Sequence, residues 1–368
     1  MATVTRRMWA ALTLSIAMAA IAASAGADTT TWVGNTGDWD VGANWDNGVP
    51  GAGDEGIINN TATAWGEAVA NGTLAGNPQI RVTAGGFLTI EDTQAISVTN
   101  QITVENGATL GTADVYSLGT GITLEDGATL SGGRGIGGQP TNEEIALPSG
   151  TVTFTRTLTP GQQGGFTLRP KFTGHATVEF YTPWTEEFAL THIGANAELV
   201  GGSIVGFDGD MVINSGGGGT ANGAVLIRCS GVRDGVLTGG DVTVKSGAEL
   251  RLINADGKEQ PFGGVVGEDW QPGGVSTTTL TIEAGGTYNI YYGNPDNYGD
   301  TVEGMVLGGT VVPAGIYTVA ELRATYGNSY FNTNGTNNSY TFEVLPEPAT
   351  MSLLGMAAFG MLVRRRPR

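Results

Sequence analysis

Two pairs of aspartates, Asp208 and Asp210 in GFDGD and Asp296 and Asp300 in NPDNYGD, are where this sequence comes closest to carrying chemistry. Carboxylates at that spacing suit calcium, a hard cation that takes about six to eight oxygen ligands, or an acid/base couple. Neither pair has a third ligand at a fixed offset. A solvated turn is therefore the better reading of both, with calcium at these four residues as the alternative and no other cofactor expected. Glu186 and Glu187 follow Trp184 as a sugar subsite would require, but neighbours on a strand point to opposite faces. Trp184 joins Trp32, Trp39 and Trp45 as the set of possible carbohydrate contacts. His175 and His192 have no ligand cluster around them, which argues against zinc. Cys229, in IRCSG, is the sole cysteine. No histidine lies near it in the sequence, so it reads as a small buried apolar residue. There is no GxSxG, no P-loop and no dinucleotide fingerprint followed by a suitable βαβ pattern, and GGRGIGG at Gly132–Gly138 reads as a flexible loop. The expectation is a non-enzymatic protein. The alternative, a polysaccharide lyase or hydrolase, would need three or more carboxylates converging with Arg228, Arg233 or Arg251.

The elements that would position these residues are short strands. Glycine accounts for 61 of the 368 residues, against an ordinary share of about 7%, and Thr, Val and Ile are abundant while Lys occurs only at 171, 245 and 258. Such a composition favours strands joined by tight turns. One phrase recurs as ITVENGATL from Ile102, ITLEDGATL from Ile122, VTVKSGAEL from Val242 and LTIEAGGTY from Leu280. Ile102 and Val104 alternate with Thr103 and Glu105, the period of a strand with one buried face. Asn106-Gly107 then turns the chain, and Ala108 and Leu110 face inward again. Two architectures fit. Asn-Gly between alternating apolar residues is a hairpin signal and would give an antiparallel β-sandwich. The spacing of the first two copies, and the arms of only a few residues, instead suit the corners of a right-handed parallel β-helix, the fold expected here. Stacked coils would bring Glu105 and Glu125 to about 4.8 Å on the outer face, where water or a cation must offset their repulsion.

A solenoid needs both ends covered, because an open end exposes apolar side chains and unpaired strand edges. Trp32, Trp39 and Trp45, in a Gly/Asn/Asp-rich opening, supply such a cap, or alternatively a sugar platform. At the other end, Thr318 with Glu321 three residues on makes a capping box for a short helix. Val319, Leu322 and Tyr326 would share one face and Gly327 would end it. Ser339–Val344 reads as a last strand. The expected organisation is a leader over 1–27, a solenoid body with its aromatic cap over 28–300, a C-terminal cap over 301–345 and a tail over 346–368.

The charge and the two termini speak to destination. The chain carries 17 Lys plus Arg against 35 Asp plus Glu, a net charge of −18, and four of those arginines fall in the last five residues. A body this acidic repels nucleic acid and anionic membrane surfaces. Arg6 and Arg7 precede an apolar run from Met8 to about Ala23, and Ala25-Gly26-Ala27 suits a signal peptidase cutting between Ala27 and Asp28. With one cysteine there is no internal disulfide. At the other terminus, Pro346-Glu347-Pro348 is followed by a largely apolar run of 15 residues, Ala349–Val363, and then by Arg364, Arg365 and Arg366. As a helix the run spans about 22 Å, short of a bilayer core of about 30 Å. It suits a transient membrane passage, with the arginines holding the cytoplasmic end.

These three parts in order resemble the PEP-CTERM sorting signal of Gram-negative bacteria. The resemblance implies processing by an exosortase and export to the cell surface or to an extracellular polysaccharide matrix. The body, through Trp32–Pro50 and the phrase GIYTVAEL, is also similar to the Gly-rich solenoid regions of such surface proteins and of autotransporter passenger domains. Together these features lead us to expect a secreted, non-enzymatic surface or matrix protein with a structural or adhesive role. The alternatives are the polysaccharide-active enzyme and a carbohydrate-binding module.

Overall fold

The computed structural model describes residues 28–34, 37, 40–60, 68–70, 78–91, 101–113, 121–132, 135–136, 144–155, 166–168, 171–181, 187–193, 207–214, 223–230, 239–254, 276–291, 299–332 and 340–346. Alternating apolar residues make short strands, and these stack in parallel into three long faces. The chain visits the faces in turn. Glu144–Leu147 lies on the first, Thr151–Thr155 on the second and Phe166–Leu168 on the third, and Lys171–Gly174, Thr177–Tyr181 and Glu187–Ile193 repeat the circuit one coil on. Among the described residues the first and third faces have seven strands each and the second has eleven. Every pairing between coils among the described residues is parallel, so the body is a β-solenoid and not an antiparallel sandwich.

Register makes the core. On the second face one inward position runs through Leu88, Leu110, Leu130, Phe154, Phe180, Ile213, Val244, Ile282 and Leu307, each the lateral partner of the next. All are buried. On the first face Ile80, Ile102, Ile122, Ile145 and Phe172 form an equivalent ladder. Mid-solenoid the aliphatic side chains give way to phenylalanines. Phe154 meets Phe172 and Phe180 edge-to-face at 5.3 and 5.4 Å, and Phe172 meets Phe207 at 5.9 Å, the geometry favoured by the ring quadrupoles.

The repeated phrase forms corners, but not always the same one. In its first two copies Ile102–Val104 and Ile122–Leu124 lie on the first face, and the chain turns onto the second at Thr109–Ala113 and Thr129–Gly132. In its last two, Val242–Val244 and Thr279–Ile282 lie on the second face and the turn leads to the third at Ala248–Asn254 and Thr287–Tyr291. The turn itself is conserved in form. Ala108 N donates to Glu105 O at 3.0 Å and Ala248 N to Lys245 O at 3.0 Å. Gly107, Gly127 and Gly247 adopt φ of 72°, 77° and 76°. Corners stack by glycine amides, with Gly107 N donating to Gly127 O at 3.1 Å and Gly247 N to Gly285 O at 2.8 Å.

Outer-face charges are offset across coils. Glu105 does not stand alone beside Glu125: Arg81, one coil back, reaches Glu105 at 3.2 Å and Glu55 at 2.7 Å. At the second corner Lys245 Nζ meets Glu283 Oε1 at 2.7 Å. The last coil extends past residue 300, since Gly304–Leu307 continues the second face and Phe331–Asn332 the third. Over it lies a mixed sheet in which Thr341–Val344 pairs in parallel with Gly299–Val302 and antiparallel with Gly315–Thr318. Helix α1, Val319–Tyr326, follows, with the expected capping box: Thr318 N donates to Glu321 Oε2 at 2.7 Å and Glu321 N to Thr318 Oγ1 at 3.2 Å. Val319 and Leu322 are buried and Tyr326 packs against the core.

Two predictions follow from the corners and caps. A Cβ on Gly127 would fall 2.7 Å from the Asn106 side chain at a positive φ, so Gly127→Ala should lower unfolding free energy by about 1–2 kcal/mol or more, read by urea titration. The Lys245 ammonium holds Glu283 below its ordinary pKa of 4.5, and the Thr318 amide and hydroxyl do the same for Glu321. A depressed folded-state value gives stability that is present above 4.5 and lost as pH falls through the folded value. The urea midpoint is expected to hold level from neutrality to about pH 5 and then to fall. Glu283→Gln combined with Glu321→Gln should make that fall shallower, and an unaltered acid profile would count against both contacts.

Candidate functional site

The N-terminal end is closed by tryptophan. Thr29–Thr31 pairs with Glu55–Ile58 at the edge of the first face, and the chain between them turns back over the open coil. Trp32 and Trp45 pair as an antiparallel bridge, their rings edge-to-face at 5.2 Å, and are 2% and 3% exposed. Gly56 lies beneath: a Cβ there would be 3.0 Å from Trp45 Cη2 and 2.9 Å from Ile80 Cδ1. This burial makes Trp32 and Trp45 part of the seal and removes them from the carbohydrate contacts, because a sugar platform must show a ring face to solvent. Trp39 and Trp184 lie outside the described residues.

Beside the seal is a polar cleft of about 360 Å³, lined by Asp28, Thr30, Asn47, Val49, Pro50 and Asp54 among others. Its walls are tied by Thr30 Oγ1 donating to Gly48 O at 2.9 Å and Asn47 Nδ2 to Thr29 O at 3.3 Å. The Thr31 amide donates to Asp46 Oδ1 at 2.7 Å, and with the Thr30 hydroxyl it holds the Asp46 carboxyl below its ordinary value.

Of the four aspartates considered for calcium, Asp210 serves a corner. Asp210 Oδ1 accepts from Asp241 N at 2.9 Å, and Asp241 Oδ1 in turn accepts from Thr279 N at 2.8 Å. Asp126 does the same for Thr151 N at 2.8 Å. These carboxylates stitch one coil to the next through main-chain donors. Asp208 Oδ1 lies 3.0 Å from His175 Nδ1 on the neighbouring coil, both side chains well exposed. Asp300 is fully buried, with Tyr288 donating to its Oδ2 at 3.3 Å and Tyr340 donating to the same oxygen. It joins the last coil to the cap. That is a core role and not the solvated turn expected from NPDNYGD; Asp296 lies outside the described residues. Among the described residues no three His, Cys, Asp or Glu side chains gather as a metal group.

The arginines expected for a lyase can be placed in part. Arg251 Nε meets Glu249 Oε1 at 2.7 Å, and Asn289 Nδ2 donates to the same oxygen at 2.8 Å. Arg233 lies outside the described residues. Register adds a neighbour set that the sequence hides: on the third face Cys229 is the lateral partner of His192 on one side and of Asn254 on the other. Coil lengths between these strands are unequal, so no periodicity in the sequence would have aligned them.

The tail begins where the fold stops. Leu345 N donates to Val302 O at 2.9 Å as the last ladder bond. Pro346, which has no amide hydrogen to continue the ladder, is exposed. The rest of the tail, including Glu347, Pro348, the apolar run and Arg364–Arg366, lies outside the described residues, as do Ala27 and the leader. Among the described residues no helix is long and apolar enough to cross a membrane. Residues 344–366 match the PEP-CTERM protein-sorting motif, the mark of an exported protein handed to exosortase for sorting to the cell surface. No curated protein and no solved structure matches the chain.

Removing the Asp300 carboxylate takes away an acceptor shared by two buried tyrosine hydroxyls. Asp300→Ala is expected to cost about 2–4 kcal/mol in urea unfolding, with calcium or a chelator changing neither protein's midpoint.

Proposed function

We propose that this is an exported, non-enzymatic structural or adhesive protein of the cell surface or of an extracellular polysaccharide matrix in a Gram-negative bacterium. The observation that carries the reading is the sorting motif at 344–366, joined to a body whose length is built by stacking similar coils. A solenoid of this kind presents long, regular, solvated faces, and its acidic surface disfavours association with nucleic acid and anionic lipid. Extracellular polysaccharide is the partner class we propose, and membrane contact is confined to the C-terminal run during export. In this reading the body resembles the solenoid regions of autotransporter passengers in form, and the leader ends at Ala27.

In this reading a processing enzyme approaches the chain at Pro346, which is exposed immediately after the last ladder bond. Mass spectrometry of protein recovered from the cell exterior should find chains ending at or near Pro346–Pro348. In cells lacking exosortase, or with Pro346, Glu347 and Pro348 replaced by alanine, the tail through Arg368 should be retained and surface protein should fall. Recovery of the intact tail from wild-type surfaces would refute the processing step. Depolymerisation of any acidic polysaccharide by the purified body, abolished by Arg251→Ala, would replace this reading with the enzymatic one.

A further inference from the structure

We infer that removal of the leader at Ala27 creates an ion pair, between the new α-ammonium of Asp28 and the carboxylate of Asp54, that locks the N-terminal cap. The main-chain nitrogen of Asp28 lies 3.1 Å from Asp54 Oδ1. Asp54 is held for this contact from its other side, its Oδ2 accepting from Gly51 N at 2.7 Å. Its own main chain is tied in as well, Gln79 N donating to Asp54 O at 3.0 Å, while Glu55 N donates to Asp28 O at 2.9 Å. In the precursor the Asp28 nitrogen belongs to a peptide bond and contributes one neutral donor. Once the bond to Ala27 is hydrolysed, the same nitrogen is an amine with an ordinary pKa of about 7.7–8.0. It is then protonated at neutral pH, and its bond to Asp54 becomes charge-assisted, the stronger kind.

The surroundings favour that cation. Asp28 and Asp54 line the cleft, and among the described residues no lysine or arginine lines it. Asp46 faces the same strand through Thr30 and Thr31. Glu55 is already engaged by Arg81 at 2.7 Å. The maturing terminus thus brings positive charge to a wall of carboxylates. The strand it secures is at the edge of its sheet and leads directly into Trp32, whose amide donates to Ile57 O at 2.8 Å. The inference rests on the leader ending at Ala27, and the two fail differently.

N-terminal sequencing of exported protein should give Asp28 as the first residue; any other residue overturns the inference. With that form in hand, the α-amine pKa is measured by NMR titration. It should lie above the ordinary value by about 0.2–0.7 pH unit, the range given by exposed ion pairs, and Asp54→Asn should return it to the ordinary value. Because the folded-state pKa of this cation is raised, the added stability is present below about pH 8 and lost as pH rises through the folded value. Hydrogen exchange at the Trp32 amide, corrected for intrinsic rate, should therefore step up above that pH. The step should vanish in Asp54→Asn and in wild-type body acetylated at its α-amine, which leaves every side chain in place. An α-amine that titrates alike in wild type and Asp54→Asn, or an exchange step that survives acetylation, overturns the ion pair while leaving the leader site standing.

Discussion

Everything in this molecule depends on the register between one coil and the next. Parallel strands a fixed distance apart oblige each coil to place an apolar side chain directly over the one before it. The ladder from Leu88 to Leu307 is the product. Loops between strands vary in length without disturbing the ladder, because the constraint acts at the strands alone. The corner glycines answer to the same rule: each stacked turn holds its glycine at a positive φ, and at Gly127 the approach of Asn106 leaves no room for a Cβ as well.

A stack of identical coils has no natural end, so the ends carry the unusual residues. At the start the seal is two buried tryptophans over a glycine. At the finish the parallel order gives way to antiparallel pairing, at Gly315–Thr318 against Thr341–Val344 and at Thr310–Val311 against Gly304–Leu307. A buried carboxylate, Asp300, binds that change of architecture to the last coil through two tyrosines. Both devices cover strand edges that would otherwise recruit another chain.

How much of this could be read from residues alone follows from which interactions are local. The nonapeptide turn, the capping box at Thr318 and the apolar face of α1 involve neighbours in sequence, and each is found as expected. The corner that each copy of the phrase occupies is not local: Val104 and Val244 hold the same place in the phrase yet lie on different faces, because loops elsewhere set the phase. Asp300 misled for a related reason, since NPDNYGD has the composition of a turn while its burial is decided by Tyr288 and Tyr340. The Cys229 neighbours His192 and Asn254 likewise exist only through register. The tail needed no fold at all to be legible, being a linear signal.

The position of the final strand has a mechanical meaning. Thr341–Val344 is the middle strand of its sheet, hydrogen-bonded on both edges, and Pro346 leaves from its end. A pull on the tail along this strand would load the bonds on both edges together, in shear, instead of peeling them one at a time. The cap is thus a strain relief: tension on the address label is absorbed by one small sheet before it reaches the stacked coils.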